Sequence, residues 1–193
     1  MDIINSRFKE LQELICQFEI NASGSVMDAA IAIANAFKKG NTLFTCGNGG
    51  SAADSQHFAA EFVNVFSKDL KRDPLPAIAL STDTSILTSI ANDSEFSGIF
   101  SRQLAAYGKI GDVLVSFTTS GSSENCLKAV KVARDLNMVS IAFTREGAKI
   151  SEFSSISIEV PSDNTQHIQE CHLLAYHVIA EIVEDILFRR GTP

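Results

Sequence analysis

The chain has 193 residues, a length that fits one domain and can bury a substantial core. Its net charge is −7 and its 16 Lys and Arg residues are scattered, so we predict no nucleic-acid partner. There is no signal-peptide pattern and no apolar run near the ~20 residues that cross a bilayer, which predicts a cytoplasmic protein without a membrane partner. The four cysteines form no C-x-x-C pair, which favours reduced, mostly buried thiols over disulfides.

The first 38 residues predict two helices. In residues 1–24, apolar side chains recur at intervals of four and three, which predicts a helix with a stripe suited to packing on another helix: Ile4, Phe8, Leu11, Ile15 and Phe18. A second subunit is one candidate partner for this stripe. Residues 25–38 predict a second helix that begins at a Ser25 cap and ends at Gly40.

From residue 42, short apolar runs alternate with helical patterns. The runs TLFTC, PAIAL, DVLVSF, VSIAFT and SISIEV predict five strands. Helices are predicted up to about residue 66, from Asp83 to about residue 107 in two parts, over 123–137 and over 165–189, with a weak helical segment after the fourth strand. This alternation predicts a three-layer, doubly wound α/β fold around a parallel sheet. The charged connector SKDLKRDPLP predicts a surface loop and not a domain boundary, so we expect one domain over residues 1–193.

Two loops of small polar residues follow the first and third predicted strands. The first is GNGGS at 47–51, and the second is TTSGSS at 118–123. Each precedes a predicted helix, whose free N–H groups and positive dipole end suit a phosphate. Gly, Ser and Asn are also ordinary turn and cap residues, so either loop alone has a structural interpretation. Two such loops at equivalent strand ends favour a phosphate-binding crevice.

Three titratable residues share one face of the helix after the first loop. Asp54, His57 and Glu61 occupy positions i, i+3 and i+7. A His and a Glu four residues apart more often form a surface hydrogen bond than a metal or acid–base site. Their place on an otherwise apolar helix, next to a candidate phosphate loop, favours the functional interpretation.

The segment HIQECHLLAYH at 167–177 holds three of the four histidines. Gln169 and His177 share a helical face but lie ~12 Å apart along the axis. One site using both would need the long Gln side chain, an irregular first turn or another element between them, and a structural role is the alternative. His167 and His172 are predicted to be exposed polar residues, with His172 a weaker alternative ligand.

Four motifs follow one another along residues 26–188: CGNGGSAADSQHFAAE, PAIALSTDTSILTSIANDSEF, GDVLVSFTTSGSSENCLKA and VPSDNTQHIQECHLLAYH. In this order they resemble the sugar isomerase (SIS) domain family, and within it the phosphoheptose isomerases that act on sedoheptulose 7-phosphate. The resemblance implies a flavodoxin-like sheet, with the 1–24 helix used for oligomerisation and an SIS core over 25–190. It also implies a homotetramer with active sites between subunits.

The resemblance also implies roles for individual residues. Glu61 and His177 would be the acid–base pair. One zinc ion per subunit would be held by His57, Glu61, Gln169 and His177. The substrate contacts would be Asn48, Gly49, Gly50, Ser51, Glu61, Asn92, Asp93, Thr118, Thr119, Ser120, Ser123 and Gln169. Because zinc binding makes a carboxylate less basic, we hypothesise a weakly held zinc that releases Glu61 when substrate binds.

The function implied is aldose–ketose isomerisation of sedoheptulose 7-phosphate to D-glycero-D-manno-heptose 7-phosphate, the first step toward ADP- or GDP-heptose. Two alternatives stay open at this point. One is a non-catalytic SIS protein that binds a replication initiator or senses sugar phosphates, against which the retention of Glu61 and His177 argues. The other is isomerisation of a different sugar phosphate, because Val65 stands where relatives usually carry an arginine.

Overall fold

Five parallel strands form the centre of the computed structural model, which describes residues 2–189. The strands are β1 (Leu43–Gly47), β2 (Ala77–Ala79), β3 (Val113–Phe117), β4 (Val139–Arg145) and β5 (Ile156–Val160). Their order in the sheet is β2-β1-β3-β4-β5, and every neighbouring pair is parallel. All residues of β1 and β3 are buried, as their continuous apolar pattern predicts for a sheet covered on both faces. The predicted five-stranded, doubly wound fold is confirmed.

Helices cover both faces of this sheet. They are α1 (Asp2–Lys38), α2 (Gly50–Val63), α3 (Thr84–Asp93), α4 (Ser101–Tyr107), α5 (Glu124–Asp135) and α6 (Thr165–Glu184), with 3₁₀ turns at Phe96–Gly98 and Lys149–Phe153 and a π-helical turn at Asp185–Arg189. One core layer joins α1, α2 and α6 to the sheet, and the other joins α4 and α5 to its opposite face. The predicted cap of α3 is confirmed, since Asp83 accepts a hydrogen bond from the N–H of Ile86.

The prediction of two separate N-terminal helices is wrong. Residues 2–38 form one continuous helix, and the hydroxyl of Ser25 donates to the carbonyl of Ala22 at 3.0 Å instead of capping a new helix. The buried side chains of Phe18, Ala22 and Val26 continue one stripe through this point. Burial of that stripe against α6 and β5 outweighs the local preference of Gly24 and Ser25 for a break.

The connector between α2 and β2 lies mostly at the surface, as predicted, but one of its side chains is fully buried. The side chain of Arg72 is 0% exposed, and its Nε donates to Oε1 of Glu184 at 2.9 Å. The four cysteines are free thiols, and all except Cys16 are buried, which confirms the prediction. Among residues 2–189, no helix combines the length and apolarity needed to cross a bilayer.

Candidate active site

The two small-residue loops lie side by side at the carboxyl edge of the sheet. β1 and β3 are neighbours, and Gly47 at the end of one pairs with Phe117 at the end of the other. Two reciprocal amide hydrogen bonds connect the segments that follow. Asn48 Nδ2 donates to Asn125 Oδ1 at 3.0 Å, and Asn125 Nδ2 donates to Asn48 Oδ1 at 2.8 Å. The predicted placement of the loops at equivalent strand ends is confirmed.

Both loops lead into helices that have no side-chain cap. Gly49 precedes α2 with φ of 55°, a backbone conformation that suits glycine, and Ser123 precedes α5 without a capping hydrogen bond. Helix N-termini without such caps offer N–H donors and a positive dipole end to an anion. Hydroxyl groups surround them: Thr118 is buried and donates to Oγ of Ser123 at 3.2 Å, while Ser120 is exposed. This arrangement can bind a phosphate.

Three ligand-type side chains meet where α2 packs on α6. Nε2 of His57 lies 2.8 Å from Oε1 of Glu61, and the rings of His57 and His177 are 5.0 Å apart between centroids. One donor atom from each of the three residues lies within 4.8 Å of the others. We call His57, Glu61 and His177 the α2–α6 cluster. Two imidazoles and one carboxylate form a donor set that suits zinc, so the residues present fit that ion.

Tyr176 holds the imidazole of His57 from its other side. The hydroxyl of Tyr176 and Nδ1 of His57 are 2.8 Å apart. The 2.8 Å contact with Glu61 places a proton on Nε2, so Nδ1 accepts from the phenol. If a metal ion bound Nε2, the proton would lie on Nδ1 and the phenol oxygen would accept it. A histidine that binds a metal usually has such a hydrogen bond on its second nitrogen. Tyr176 therefore completes the arrangement that a metal-binding His57 requires.

Burial and neighbouring charges shift the pKa values of the surrounding groups. Burial lowers the pKa of His177, and His57 lowers it further against a smaller opposing effect of Glu61, which favours the neutral imidazole. Burial raises the pKa of Asp54 to about 6, with His57 opposing the shift. Burial, assisted by the charges of Asp54 and Glu61, raises the pKa of Tyr176, which keeps its hydroxyl protonated.

Gln169 lies on α6, and its side chain reaches the first residue of α2. A Cβ atom added to Gly50 would lie 2.5 Å from Nε2 of Gln169, so the amide passes directly over this glycine. Gly50 thus leaves room for the long Gln side chain, which lies between the first loop and α6. This position is consistent with the predicted proximity of Gln169 to substrate.

Asn92 and Asp93 lie at the exposed end of α3, where the Asn92 amide donates to Oδ1 of Asp93 at 2.7 Å. Within residues 2–189, no hydrogen bond or ion pair connects either of them to the two loops or to the α2–α6 cluster. Among the described residues, the two loop segments are joined through Asn48 and Asn125, and Glu61 and His177 meet in the α2–α6 cluster, whereas Asn92 and Asp93 are bonded to each other.

The prediction that His167 and His172 are exposed is wrong. His167 is 7% exposed, and its ring lies 2.7 Å from Oε2 of Glu170 and 3.3 Å from Oε2 of Glu10 on α1. His172 is fully buried against the rings of Phe117 and Phe143. Among residues 2–189, neither of its nitrogens has a hydrogen-bond partner of good geometry, and the backbone of Thr144 is the polar group that acts on the imidazole. His172 faces the sheet because it lies on the buried stripe of α6, so it is not a member of the α2–α6 cluster.

Sequence reasoning missed three features of the site: the hydrogen bond of Tyr176 to His57, the partnership of Asn125 with Asn48, and the buried pair of Arg72 with Glu184. The first had a signal, because Tyr176 lies on the apolar stripe of α6 and its hydroxyl needs a partner when buried. The other two join residues 77 and 112 positions apart, for which the sequence pattern carries no local signal.

Comparison with known proteins agrees with this geometry. Residues 8–145 match the family model described as SIS domain. The chain is 46% identical over 192 residues to the phosphoheptose isomerase of Aquifex aeolicus (strain VF5), covering 99% of this chain and 100% of the relative. The solved phosphoheptose isomerase of Francisella tularensis superposes with a TM-score of 0.91 at 38% identity, covering 95% of this chain and 97% of the other. That of Neisseria gonorrhoeae gives 0.89 at 37% identity, with 95% and 98% coverage. The chain therefore belongs to the SIS-domain family, and within it to the phosphoheptose isomerases.

Proposed function

We propose that the chain isomerises sedoheptulose 7-phosphate to D-glycero-D-manno-heptose 7-phosphate. The observation that carries this proposal is the meeting of Glu61 and His177 on two helices, one of which starts from a phosphate-type loop. An aldose–ketose isomerase needs a base for the carbon-bound proton and a group that moves a hydroxyl proton, next to a fixed substrate. The relatives named above are phosphoheptose isomerases, which supports this choice of sugar.

In this mechanism, the loops bind the substrate and the α2–α6 cluster moves its protons. The phosphate is held by the N-termini of α2 and α5 and by hydroxyl groups of both loops, Ser51, Thr118, Thr119, Ser120 and Ser123. Glu61 removes the C1 proton beside the C2 ketone, which gives an enediol. The protonated Glu61 then returns a proton to C2, and His177 moves the proton between the C1 and C2 oxygens. The product is the aldose, and no redox cofactor is consumed.

Zinc belongs to the same proposal. His57, Glu61 and His177 would hold the ion, with Gln169 as the fourth ligand carried over from the resemblance. When bound, zinc supplies a positive charge that polarises the substrate oxygens.

The oligomeric state and the cellular location are also proposals. We propose a homotetramer, supported by the exposed apolar side chains of Ile4, Phe8 and Ile20 on α1. Asn92 and Asp93 would then face substrate bound to a neighbouring subunit. We also propose that residues 1–193 form one domain and that the protein is a cytoplasmic enzyme that supplies heptose phosphates.

The test is turnover of the purified protein on sedoheptulose 7-phosphate in deuterated water, with hexose phosphates as alternative substrates. We expect the heptose aldose to form, with solvent deuterium at C2 whenever Glu61 exchanges its proton before returning it. Glu61→Gln should lose both product and label and keep its fold, while the matched variant Glu181→Gln, on the exposed side of α6, should keep both. A wild-type protein that binds the substrate but gives neither product nor label contradicts the proposal.

Ser120→Ala separates binding from chemistry. Loss of one hydroxyl donor to a charged phosphate costs about 1.5–3 kcal/mol, so KM should rise by one to two orders of magnitude while kcat changes little. A fall in kcat at constant KM would assign the loop to chemistry instead.

A further inference from the structure

Arg72 closes the C-terminal end of the helix that carries Glu61. Its Nη2 donates to the carbonyl of Glu61 at 2.8 Å, and its Nη1 donates to the carbonyl of Phe62 at 2.9 Å. The last carbonyls of an α-helix have no partner within the helix, and a cation there also complements the helix dipole. Arg72 therefore fixes the backbone of Glu61 itself, although it lies eleven residues further along the chain.

Glu184 makes the matching connection on the helix that carries His177. It lies two turns after His177 on α6 and is 1% exposed. Besides Arg72, it accepts from the N–H groups of Phe66 and Ser67 at 2.9 and 3.0 Å. Burial raises the pKa of Glu184, but these hydrogen bonds outweigh burial and hold the pKa below its usual range, so the carboxylate is charged. Phe66, held in this way, lies with its ring centroid 5.8 Å from that of His177.

The two halves of the acid–base pair come from different helices, so their separation depends on how α2 and α6 are fixed to each other. The ion pair between Arg72 and Glu184 joins the backbone of Glu61 to α6 and, through Phe66, to the ring of His177. A buried ion pair is weak evidence for stability, because the cost of removing both charges from water offsets their attraction. Precise placement of catalytic groups has a separate effect on rate, since a 1 Å misplacement can cost about 10²-fold.

We propose that Arg72 and Glu184 are positioning residues that set the separation of Glu61 and His177. This inference rests on the proposed isomerase function for its kinetic consequence. Neither residue contacts the two phosphate loops, so among the described contacts the pair acts on the α2–α6 cluster and not on phosphate binding. Disturbing it should therefore lower kcat and weaken metal binding, with KM largely unchanged.

The variants are Arg72→Lys and Glu184→Gln. Lysine keeps the charge but cannot reach Glu184 and two carbonyls at once, because it lacks the planar fork of arginine. Glutamine keeps the shape and one acceptor oxygen. For each variant we expect kcat about 10- to 100-fold lower, KM within about twofold of wild type, and Zn²⁺ bound about 10-fold more weakly. Val130→Ala is the control, since it removes buried volume on the opposite face of the sheet and should lower the melting temperature while kcat and Zn²⁺ affinity stay unchanged.

Wild-type turnover is measured first, so an inactive wild type counts against the isomerase function alone. The Zn²⁺ titration needs no turnover and tests the positioning role in either case. If Arg72→Lys and Glu184→Gln lower the melting temperature as Val130→Ala does, yet keep wild-type kcat and Zn²⁺ affinity, the pair is only structural and the inference is overturned. Should Arg72→Lys fail to fold, the isosteric Glu184→Gln decides the question by the same two measurements.

Discussion

The hydroxyl of Tyr176 lies 2.8 Å from Nδ1 of His57, so a side chain on α6 fixes the orientation of an imidazole on α2. The same imidazole faces Glu61 through Nε2 at 2.8 Å. Each nitrogen of His57 thus has a partner, and the phenol oxygen can accept from Nδ1 when Nε2 binds a metal ion.

Tyr176→Phe should therefore weaken Zn²⁺ binding by about 10-fold, because the ring of His57 loses the hydrogen bond that holds its orientation. The phenyl ring keeps the packing on Phe58 and Phe117, so the fold should survive. Isothermal titration with Zn²⁺ measures the effect. The chain's other tyrosine supplies the control, since Tyr107→Phe changes an exposed residue at the end of α4 and should bind Zn²⁺ as wild type does. Equal affinities for the two variants would contradict a role for Tyr176.

Gly50→Ala should displace Gln169 without disturbing the α2–α6 cluster directly. The added methyl group would lie 2.5 Å from the Gln169 amide nitrogen, so the flexible side chain must move away. We expect weaker sugar-phosphate binding, measured as KM, at nearly unchanged melting temperature. In Gly98→Ala the nearest atom is at 3.6 Å, an ordinary contact, and this variant should keep the wild-type KM. Wild-type KM in Gly50→Ala would show that Gln169 does not contact substrate from its present position.

His172 should make stability depend on pH. Burial lowers its pKa to about 3, well below the unperturbed value of 6.5. Between pH 3 and pH 6.5 the unfolded chain binds one more proton at His172 than the folded chain does. The stability linked to neutral His172 is therefore fully present above pH 6.5 and is lost as the pH falls toward 3. Over this range, the free energy of unfolding changes by about 1.4 kcal/mol per pH unit.

His172→Leu removes this titration together with two buried imidazole nitrogens. In denaturant unfolding, we expect the free energy of unfolding of the variant to lack the pH dependence that His172 contributes. Its stability relative to wild type should therefore improve steadily from pH 6.5 to pH 4. A constant difference in the free energy of unfolding between the two proteins across that range would contradict this prediction. It would show that the folded protein stabilises the charged form of His172.

The proposed tetramer predicts that a charge in the apolar stripe of α1 separates the subunits. Phe8 is 68% exposed in the single chain. Phe8→Glu should shift sedimentation toward smaller species and lower activity, because a carboxylate buried between subunits lacks a partner. Lys9→Glu reverses a charge on the neighbouring position, whose side chain is 76% exposed, and should leave the assembly intact. A wild-type protein that sediments at 20.8 kDa at micromolar concentration contradicts the tetramer.

Much of the fold follows from local patterns. The five strands are short, mostly apolar runs, and Asp83 caps α3 as its sequence indicates. The N-terminal helix was mispredicted because Gly24 and Ser25 carry a local signal for a break. Whether that signal prevails depends on a partner surface, contributed by α6 and β5 from the far end of the chain.

The candidate site also combines features that local sequence predicts with features that depend on distant residues. The spacing of His57 and Glu61 along one helix is a local property, and their hydrogen bond follows from it. Which of the histidines on α6 faces α2 depends on the rotation of α6 about its axis, and burial of the whole stripe fixes that rotation. His177 therefore lies beside His57 in the α2–α6 cluster, whereas His172 lies in the core. Periodicity of the apolar residues around His172 could have shown its burial, whereas the contact of Arg72 with Glu184 could not be read from spacing.

The mutual amide pair of Asn48 and Asn125 has an evolutionary consequence. Each side chain gives the other one donor and accepts one hydrogen bond in return. A change at one position alone leaves the remaining amide facing a group of the wrong polarity, which costs more than losing both partners together. The two positions should therefore change together among relatives, and a segment that carries Asn48 should be exchanged together with the first turn of α5, which carries Asn125.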